Sequence, residues 1–387
     1  MQTVVLNCSQ VVPISSPAIQ DGAILIEDGR IRAVGSRTEI LKEAGEHTRV
    51  DAQQGVVTPA LIDAHTHCVF AGNRANEFEM RSSGATYQQI AAAGGGIFAS
   101  VSSTNAASDE ALTTQSQRHL DWLIANGAST VEIKSGYGLS TDKELRMLRV
   151  ARSLQGARVK TTLLAAHALP MGRPKLDYLQ EIVEVMLPEA AKLGLIDYCD
   201  VFVENGFYSC EDAEFLSDAA HGLGLKMRLH VDQLSNGAGA TLAARIGAKS
   251  ADHLEHTDLE GVADLARTWE AGEGTYPILL PGSVHALGLK KYPPARDMLD
   301  AGLPVVLATD FNPGSSPVAS LPFVMNLACT QMKMSPAEAM RAVTLNAAGS
   351  LDLGDQIGSL EPGKLAEFKI WSVSDWREIP YWIGARI

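Results

Sequence analysis

The chain has 387 residues, enough to bury a large core in one barrel-sized domain with an appendage or in two ordinary domains. Its 32 basic and 45 acidic residues give a net charge of -13 without any long basic run, which makes nucleic acid and anionic membranes poor candidate partners. No segment approaches the roughly 20 apolar residues of a membrane-spanning helix, and no signal-peptide pattern opens the chain, so we expect a cytoplasmic protein.

Short strands are predicted near the N-terminus at 3–6, 23–27 and 30–34, with Asp28-Gly29 as a typical hairpin turn between the last two. Near the other end, residues 357–371 read as a turn followed by an alternating strand. A hairpin with no helix beside it needs a second sheet to cover it. We therefore expect a small β-sandwich built from residues 1–55 and 353–387, with residues 56–352 forming a separate domain.

The central region alternates strands with helices. The first strand, 56–67, is followed at some distance by a helix at 109–126. The later strand and helix pairs are predicted at 129–134 with 141–154, 160–166 with 176–193, 200–204 with 210–223, 226–231 with 238–246, a strand ending at 253 with 259–269, 275–280 with 294–301, and 304–309 with 317–332. One more helix, 336–350, returns the chain to the sandwich.

Eight such units favour an α/β fold of the (β/α)8 TIM-barrel type. The alternative is an open, doubly wound parallel sheet. That fold usually carries a glycine-rich phosphate loop directly after its first strand, whereas the glycine run at 94–96 lies well past it. The sequence therefore favours the closed barrel.

The first central strand ends in a His-x-His pair, His65 and His67. Side chains alternate faces along a strand, so both imidazoles point to the same side. Two adjacent imidazoles form half of a metal site, although a pair of hydrogen-bonded core histidines is the alternative interpretation. Further ligands at other strand ends would decide between these two interpretations.

A barrel brings the C-terminal ends of its strands to one mouth. Polar residues at these predicted ends are His65, His67, His167, His230, Asp252, His253 and Asp310. A divalent ion held by three imidazoles and a carboxylate lowers the pKa of a bound water towards about 7, which provides hydroxide at neutral pH. Asp310 can then act as general acid and base, and His253, free of the metal, can polarise a carbonyl oxygen.

This arrangement of ligands, with a sandwich made from both chain ends, resembles the amidohydrolase superfamily. The likeness covers nearly the whole chain, including the blocks at 63–67, 70–74, 84–87, 91–97 and 250–255. Two blocks are more specific, Gly136-Tyr137-Gly138-Leu139 and Asp310-Phe311-Asn312-Pro313-Gly314. They are similar to those of the members that hydrolyse the cyclic amide of 4-imidazolone-5-propanoate to N-formimino-L-glutamate in histidine degradation.

The resemblance implies one metal ion, Zn2+ or Fe2+/Fe3+, bound by His65, His67, His230 and Asp310, and attack by a metal-bound hydroxide. It implies His253, Asp310 and Gln233 as catalytic residues. Arg74 is expected to form a bidentate ion pair with the carboxylate tail of this small anionic heterocyclic substrate. The implied substrate-binding set is Arg74, Tyr137, His167, Gln233, Asn312, Gly314 and Ser315.

Gln233 stands where family members carry either Glu or Gln, and we assign it to the substrate ring. A Gln cannot replace a carboxylate in activating water, which leaves Asp310 and His253 as the proton carriers. Asn105 departs from the family pattern, where an Arg is expected and a second contact to the carboxylate would follow. Glu204 could bridge a second metal ion. No lysine ends its strand to be carboxylated, so a mononuclear site is favoured.

Two alternative functions stay open at this point. A related amidohydrolase or deaminase of another cyclic amide, amidine or purine would keep the metal site and change the pocket. A noncatalytic scaffold on the same fold would lose metal ligands. Barrels of this kind often form homodimers, but the sequence does not identify a contact surface. The five cysteines lack Cys-x-x-Cys spacing and are expected to be reduced, and four histidines outside the strand ends are expected at the surface: His47, His119, His221 and His256.

Overall fold

The computed structural model describes residues 2–85, 89, 93–270, 272 and 274–387. Four residues of the blocks at 84–87 and 91–97 lie outside the described residues: Thr86, Tyr87, Ala91 and Ala92.

Two four-stranded sheets contain the strands near the chain ends. Their strands are β1 (Gln2–Leu6), β2 (Gln10–Val11), β3 (Ile19–Gln20), β4 (Gly22–Glu27), β5 (Arg30–Ser36), β6 (His47–Asp51), β7 (Val56–Pro59) and β16 (Phe368–Trp371). One sheet has the order β5-β4-β1-β6 and the other β16-β7-β2-β3. Apolar residues from both sheets share one buried cluster that includes Val5, Ile24 and Val57. The expected joining of the two chain ends is thus observed, while the domain limits at 55 and 352 stay a prediction.

The predicted hairpin is confirmed. β4 and β5 pair antiparallel, and both turn residues have positive φ, 50° at Asp28 and 77° at Gly29. This is the two-residue turn whose twist matches that of the flanking strands.

The stretch 56–67, predicted as one strand, forms two strands of different sheets. Its first part is β7 in the terminal sheet, and after Ala60 the chain continues as β8 (Leu61–Thr66), the first strand of the barrel. A continuous run of β-branched and apolar residues suits either sheet, so its composition does not reveal the change of sheet.

The barrel is confirmed as a parallel eight-stranded sheet in sequential order. After β8 its strands are β9 (Ala128–Lys134), β10 (Arg158–Ala166), β11 (Tyr198–Val203), β12 (Lys226–Val231), β13 (Ser250–His253), β14 (Tyr276–Leu279) and β15 (Val306–Leu307). The chain after β15 closes the sheet against β8, because Asp310 N donates to His65 O at 3.0 Å and His67 N donates to Phe311 O at 2.9 Å.

The α-helices described by the structure are Arg37–Glu43, Ala75–Ser82, Ile97–Ala106, Asp109–Ala125, Thr141–Ser153, Lys175–Glu181, Leu187–Lys192, Cys210–Gly222, Gly239–Arg245, Leu259–Glu270, Pro281–Leu287, Ala295–Asp300, Leu321–Gln331, Pro336–Ala342, Leu345–Ser350 and Glu378–Tyr381. A π-helical turn, Ile182–Met186, divides the helix predicted at 176–193. The helix predicted from 317 begins at Leu321, after the N-cap Ser320. In the described part of the chain, no helix has the length and apolar character needed to cross a bilayer.

One surface assignment is wrong. His119 is buried, its Nδ1 lies 2.9 Å from Cys68 O, and its ring stacks on Phe70 with centroids 4.1 Å apart. The helix Asp109–Ala125 presents His119 to the segment after β8, a tertiary contact that the local sequence does not reveal. The five cysteines are free, as expected.

Candidate metal centre

Four side chains from three parts of the barrel converge at its mouth. The Nε2 atoms of His65 and His67 lie 3.6 and 3.4 Å from Asp310 Oδ1, and His230 Nε2 lies 3.4 Å from His67 Nε2. All four side chains are buried. The strand ends predicted to supply ligands therefore meet at one point.

The free atoms of this cluster fit a cation. His65 Nε2 and Asp310 Oδ2 are buried and have no hydrogen-bond partner among the residues that the structure describes. Buried polar atoms are normally paired. One imidazole nitrogen each from His65 and His67, with a carboxylate oxygen of Asp310 close by, is a suitable donor set for a transition metal.

Two overlapping groups in the described chain have ligand atoms within 4.8 Å of one another, His65–His67–Asp310 and His65–His230–His253. Burial, and then the charge of Lys134, lower the pKa values of His65 and His230 well below the ordinary value, which favours the neutral, metal-binding imidazole. Burial also acts to lower the pKa of His253, but Glu255, 3.3 Å from its Nδ1, reverses the effect and raises it. Within these two groups, His253 is the imidazole whose contact with Glu255 favours the protonated form.

Carboxylates contact two of the candidate ligands at Nδ1, the ring nitrogen on the side away from the metal site. Asp252 Oδ2 lies 2.6 Å from His65 Nδ1, and Asp200 Oδ1 lies 3.1 Å from His230 Nδ1. Such contacts fix the tautomer of a ligating imidazole so that the other nitrogen faces the metal.

The backbone is strained at two of these residues. His253 has φ 80° and Asp310 has φ 52°, a left-handed conformation that residues with a Cβ rarely adopt. Each costs of the order of 1–3 kcal/mol and persists where surrounding contacts impose it, often at active sites.

A cavity of about 590 Å³ opens directly above the cluster. Its wall contains every residue predicted from sequence to bind substrate, metal or proton, except His65, which lies buried beneath it. These lining residues are His67, Arg74, Tyr137, His167, His230, Gln233, His253, Asp310, Asn312, Gly314 and Ser315. The volume is that of a small-molecule site.

Comparison with known proteins supports the same assignment. Residues 56–380 match the model of the amidohydrolase family. The chain is 48% identical to the imidazolonepropionase of Solibacter usitatus, with 98% of this chain and 94% of that protein covered, and 45% identical to the imidazolonepropionase of Paracoccus denitrificans, with 95% and 91% covered. The chain belongs to the imidazolonepropionases of the amidohydrolase family.

Solved structures of other amidohydrolases share the fold. An adenosine deaminase from Xanthomonas campestris with bound zinc aligns with a TM-score of 0.72 at 17% identity, covering 98% of this chain and 88% of that one. A guanine deaminase from C. acetobutylicum aligns with a TM-score of 0.68 at 16% identity, covering 96% and 91%. Members of the amidohydrolase family bind divalent metals, and no ligand position of the predicted set is lost here, which disfavours the scaffold alternative.

Within this family site, Arg74 is already engaged. Its Nε and one terminal nitrogen donate to the two carboxylate oxygens of Glu77 at 2.7 and 2.5 Å. The other terminal nitrogen lies against Gly314, where an added Cβ would come within 1.9 Å of it. This close approach explains the glycine of the Asp-Phe-Asn-Pro-Gly block. A second arginine, Arg81, also lines the cavity.

The Gly-Tyr-Gly-Leu block is a loop held by one carboxylate. Glu144 accepts hydrogen bonds from Gly136 N, Gly138 N and Leu139 N at 2.7–2.8 Å. Tyr137 is thereby fixed in the cavity wall. Burial raises the pKa of its phenol, which keeps the hydroxyl protonated as a donor.

His167 lies between this loop and the metal ligands. Its Nδ1 is 3.3 Å from Gly136 O, and its ring stacks on His67 with centroids 5.2 Å apart. Burial and the neighbouring His67 and His230 lower its pKa well below the ordinary value. When Nδ1 carries the proton towards Gly136 O, Nε2 is left as an acceptor.

Two other residues predicted to bind substrate differ in whether their side chains already form hydrogen bonds. The side chain of Asn312 is committed to its own loop, accepting from Gly314 N and Ser315 N and donating to Asp310 O. Gln233 makes no hydrogen bond within the described chain, although it lines the cavity.

Glu204, the alternative ligand for a second metal, accepts from Leu234 N at 2.8 Å and from Ser235, and it lies outside both candidate metal groups of the described residues. It positions the loop that follows Gln233.

Asn105 is not among the described residues that line the cavity. Its Nδ2 donates to Gly138 O at 3.0 Å, so it supports the loop of Tyr137 from outside. Arg81 supplies a second cavity arginine from another element. The Asn that replaces the expected Arg at position 105 therefore supports this loop.

Sequence reasoning missed five charged residues around the site: Glu77, Arg81, Glu132, Lys134 and Asp200. The last three lie fully buried inside the barrel. Their signal was an ionisable residue within an otherwise apolar strand, at an inward-facing position. Residues 132 and 134 share one face of β9, since alternate strand residues point the same way.

Proposed function

We propose that this amidohydrolase opens the ring of 4-imidazolone-5-propanoate to give N-formimino-L-glutamate. Water adds its oxygen to the ring carbonyl carbon, the carbon–nitrogen bond of the cyclic amide breaks, and the two protons of water are shared between the new carboxyl group and the departing nitrogen. The arrangement that carries this proposal is a metal-type donor cluster and two arginines in one cavity.

His65, His67, His230 and Asp310 are the residues that would hold one divalent ion, and the set suits zinc and iron alike. When bound, the ion supplies Lewis acidity and lowers the pKa of a coordinated water. The neutral state favoured for His65 and His230 is the state that binds a metal.

Asp310 carries the proton. Burial acts to raise its pKa, but the hydrogen bond with His67 and the charge of the neighbouring His253 lower it below the ordinary value. The group is therefore a carboxylate with a free oxygen, Oδ2, inside the site. It accepts a proton from the attacking water and delivers it to the leaving ring nitrogen, as a general base and then a general acid.

His253 stabilises the oxygen of the ring carbonyl. Glu255 favours the protonated form of this imidazole, and a cationic donor is well suited to the negative charge that develops on the oxygen during attack. Its backbone, with φ 80°, is fixed at the end of β13.

The cavity wall binds the rest of the substrate. Gln233 has its amide free for the ring, and His167 and Tyr137 present an acceptor and a donor. The propanoate tail binds near Arg74, against the backbone of Gly314 and Ser315. Because Glu77 occupies two of the nitrogens of Arg74, a bidentate clamp requires the guanidinium to exchange partners.

The test is turnover of freshly generated 4-imidazolone-5-propanoate by the metal-loaded protein. We expect loss of the imidazolone ultraviolet absorbance, appearance of formiminoglutamate by mass spectrometry, and inhibition by a chelator that added zinc or iron reverses. A protein with stoichiometric metal that leaves this substrate unchanged would contradict the assignment, and other cyclic amides and amidines would then be tested.

We also propose a cytoplasmic enzyme that has no nucleic-acid partner. The net charge of -13 and five free cysteines support this. The homodimer stays a prediction, which light scattering of the purified protein tests.

A further inference from the structure

Lys134 lies fully buried beneath the metal cluster, at the end of β9. Its Nζ lies 2.7 Å from Asp200 Oδ2, 2.9 Å from Glu132 Oε1 and 3.5 Å from Asp252 Oδ2. One ammonium group thus contacts three buried carboxylates.

Two of these carboxylates also contact candidate metal ligands. Asp252 lies 2.6 Å from His65 Nδ1, and Asp200 lies 3.1 Å from His230 Nδ1. A single amine is therefore joined through one carboxylate to each of two imidazoles on different strands. His67 lies outside this network, since its Nδ1 has no hydrogen-bond partner among the described residues.

We propose that Lys134 is a positioning residue that holds Asp200 and Asp252 in place and so orients His65 and His230 to retain the metal. The inference rests on the proposed metal site. It assigns to Lys134 control over how tightly the ion is held, without contact between Lys134 and substrate.

The other buried cation of this layer does not duplicate the role. Arg228 donates to Ala64 O and Ser350 O at 2.9 and 3.0 Å, and its Nε approaches Glu132 at 3.7 Å. Within the described chain, Lys134 is the cation whose ion pairs reach both Asp200 and Asp252. Without it, each carboxylate would lose its ion pair with Lys134, which would leave Asp252 with its contact to His65 and Asp200 with its contacts to His230 and Val201 N.

A purely structural role is the competing explanation, because removing a cation from a buried charged layer destabilises the fold. The charge-balanced variant Lys134→Met/Glu132→Gln separates the two. It removes one positive and one negative group and leaves Asp200 and Asp252 in place. Glu132→Gln alone is the matched control, since it keeps the contacts of Lys134 with both aspartates.

The measurement is the rate of zinc release from the loaded proteins to excess chelator, with the visible spectrum of the cobalt-loaded forms as a report on ligand geometry. We expect the double variant to release zinc about 10- to 100-fold faster than Glu132→Gln, as is usual when outer contacts of a metal ligand are lost, with an altered cobalt spectrum. Lys134→Arg should release zinc more slowly than the double variant, because the guanidinium can again donate to the carboxylates.

Release from the double variant within twofold of the Glu132→Gln rate, with an unchanged cobalt spectrum, would overturn the inference. If that variant does not fold, Lys134→Gln/Glu132→Gln places a neutral amide beside the buried carboxylates and is judged by the same two outcomes. A wild-type protein that binds no stoichiometric zinc or cobalt would overturn the metal site itself, which distinguishes failure of the proposed function from failure of this inference.

Discussion

Arg74 and Glu77 form a two-point ion pair in the wall of the candidate active site, with 2.7 and 2.5 Å between their hydrogen-bonded atoms. The side chain of Glu77 is 8% exposed and also accepts from Gly96 N, so it is held from two sides. Glu77 fixes the guanidinium in the cavity but also neutralises it. Any anionic substrate group that binds Arg74 competes with a carboxylate that is already in place.

Replacing Arg74 tests this competition. We expect Arg74→Gln to raise KM for 4-imidazolone-5-propanoate by about 10- to 150-fold with a much smaller change in kcat, since hydrogen bonds to charged groups contribute about 1.5–3 kcal/mol. The Gln amide can still reach Glu77, which limits structural damage. A substrate analogue with an amide in place of the carboxylate is the control, because its KM should be similar in both proteins. An unchanged KM for the natural substrate would remove Arg74 from carboxylate binding.

Arg81 should contribute a weaker, longer-range attraction. It lines the same cavity, its guanidinium donates a 3.4 Å hydrogen bond to Ala286 O, and no carboxylate of the described chain forms an ion pair with it. We expect Arg81→Gln to raise KM by about two- to fivefold at low ionic strength, the size of an exposed charge pair, and the difference to shrink in salt. Equal KM values at low salt would show that Arg81 does not contribute to attraction of the substrate.

The site residues that the sequence predicted lie mostly at the ends of barrel strands. Barrel strands follow a period of two and end at one mouth, so the polar residues at the strand ends could be placed together from the pattern: His65, His67, His167, His230, Asp252, His253 and Asp310. The choice of four of them as metal ligands came from the family resemblance. The contacts of Lys134 and Asp200 could not be predicted, because a charged residue in a strand does not reveal its partner on another strand. The contact between His119 and Cys68 depends on helix packing, and the change of sheet at Ala60 depends on a bend within a uniformly apolar run.

A substitution of His253 shows whether this residue is a metal ligand or only a neighbour of the metal. We expect His253→Ala to lower kcat by about 10²–10³-fold, the usual cost of losing one donor to a developing oxyanion, while metal content stays at one ion per chain. Metal analysis of the same preparation checks this. If metal content falls in parallel with activity, the group His65–His230–His253 holds the ion and the assigned role of His253 is wrong.

Asp352 should stabilise the protein except in acid. Burial acts to raise its pKa, but Lys226 and Lys249, both 2.8 Å from Oδ1, together with Tyr198 lower it to about 2, below the ordinary 3.8. A lowered folded-state pKa adds stability above the unfolded-state value, and this stability is lost as pH falls from about 4 to 2. Allowing for solvent screening of a partly exposed group, we expect Asp352→Asn to cost about 1 kcal/mol at pH 7.

Urea unfolding of both proteins at several pH values measures this difference in free energy. The gap should narrow below pH 4, where wild-type Asp352 begins to lose its advantage. The exposed Asp355 provides the control variant Asp355→Asn, for which we expect a smaller, flatter difference. A gap for Asp352→Asn that stays constant down to pH 2.5 would show that packing, not charge, causes it.

Gly136 provides a steric test of the wall that holds His167. It has φ 118°, and an added Cβ would lie 2.8 Å from His167 Nδ1 and 3.0 Å from Leu164 O. We expect Gly136→Ala to displace the imidazole and lower kcat/KM at least tenfold, beyond the 1–3 kcal/mol of stability lost to backbone strain. Gly172→Ala is the matched control, with φ 74° and open space around the new methyl group, so it carries strain without the collision. Equal activity losses in the two variants would mean that backbone strain alone, and not the position of His167, accounts for the effect.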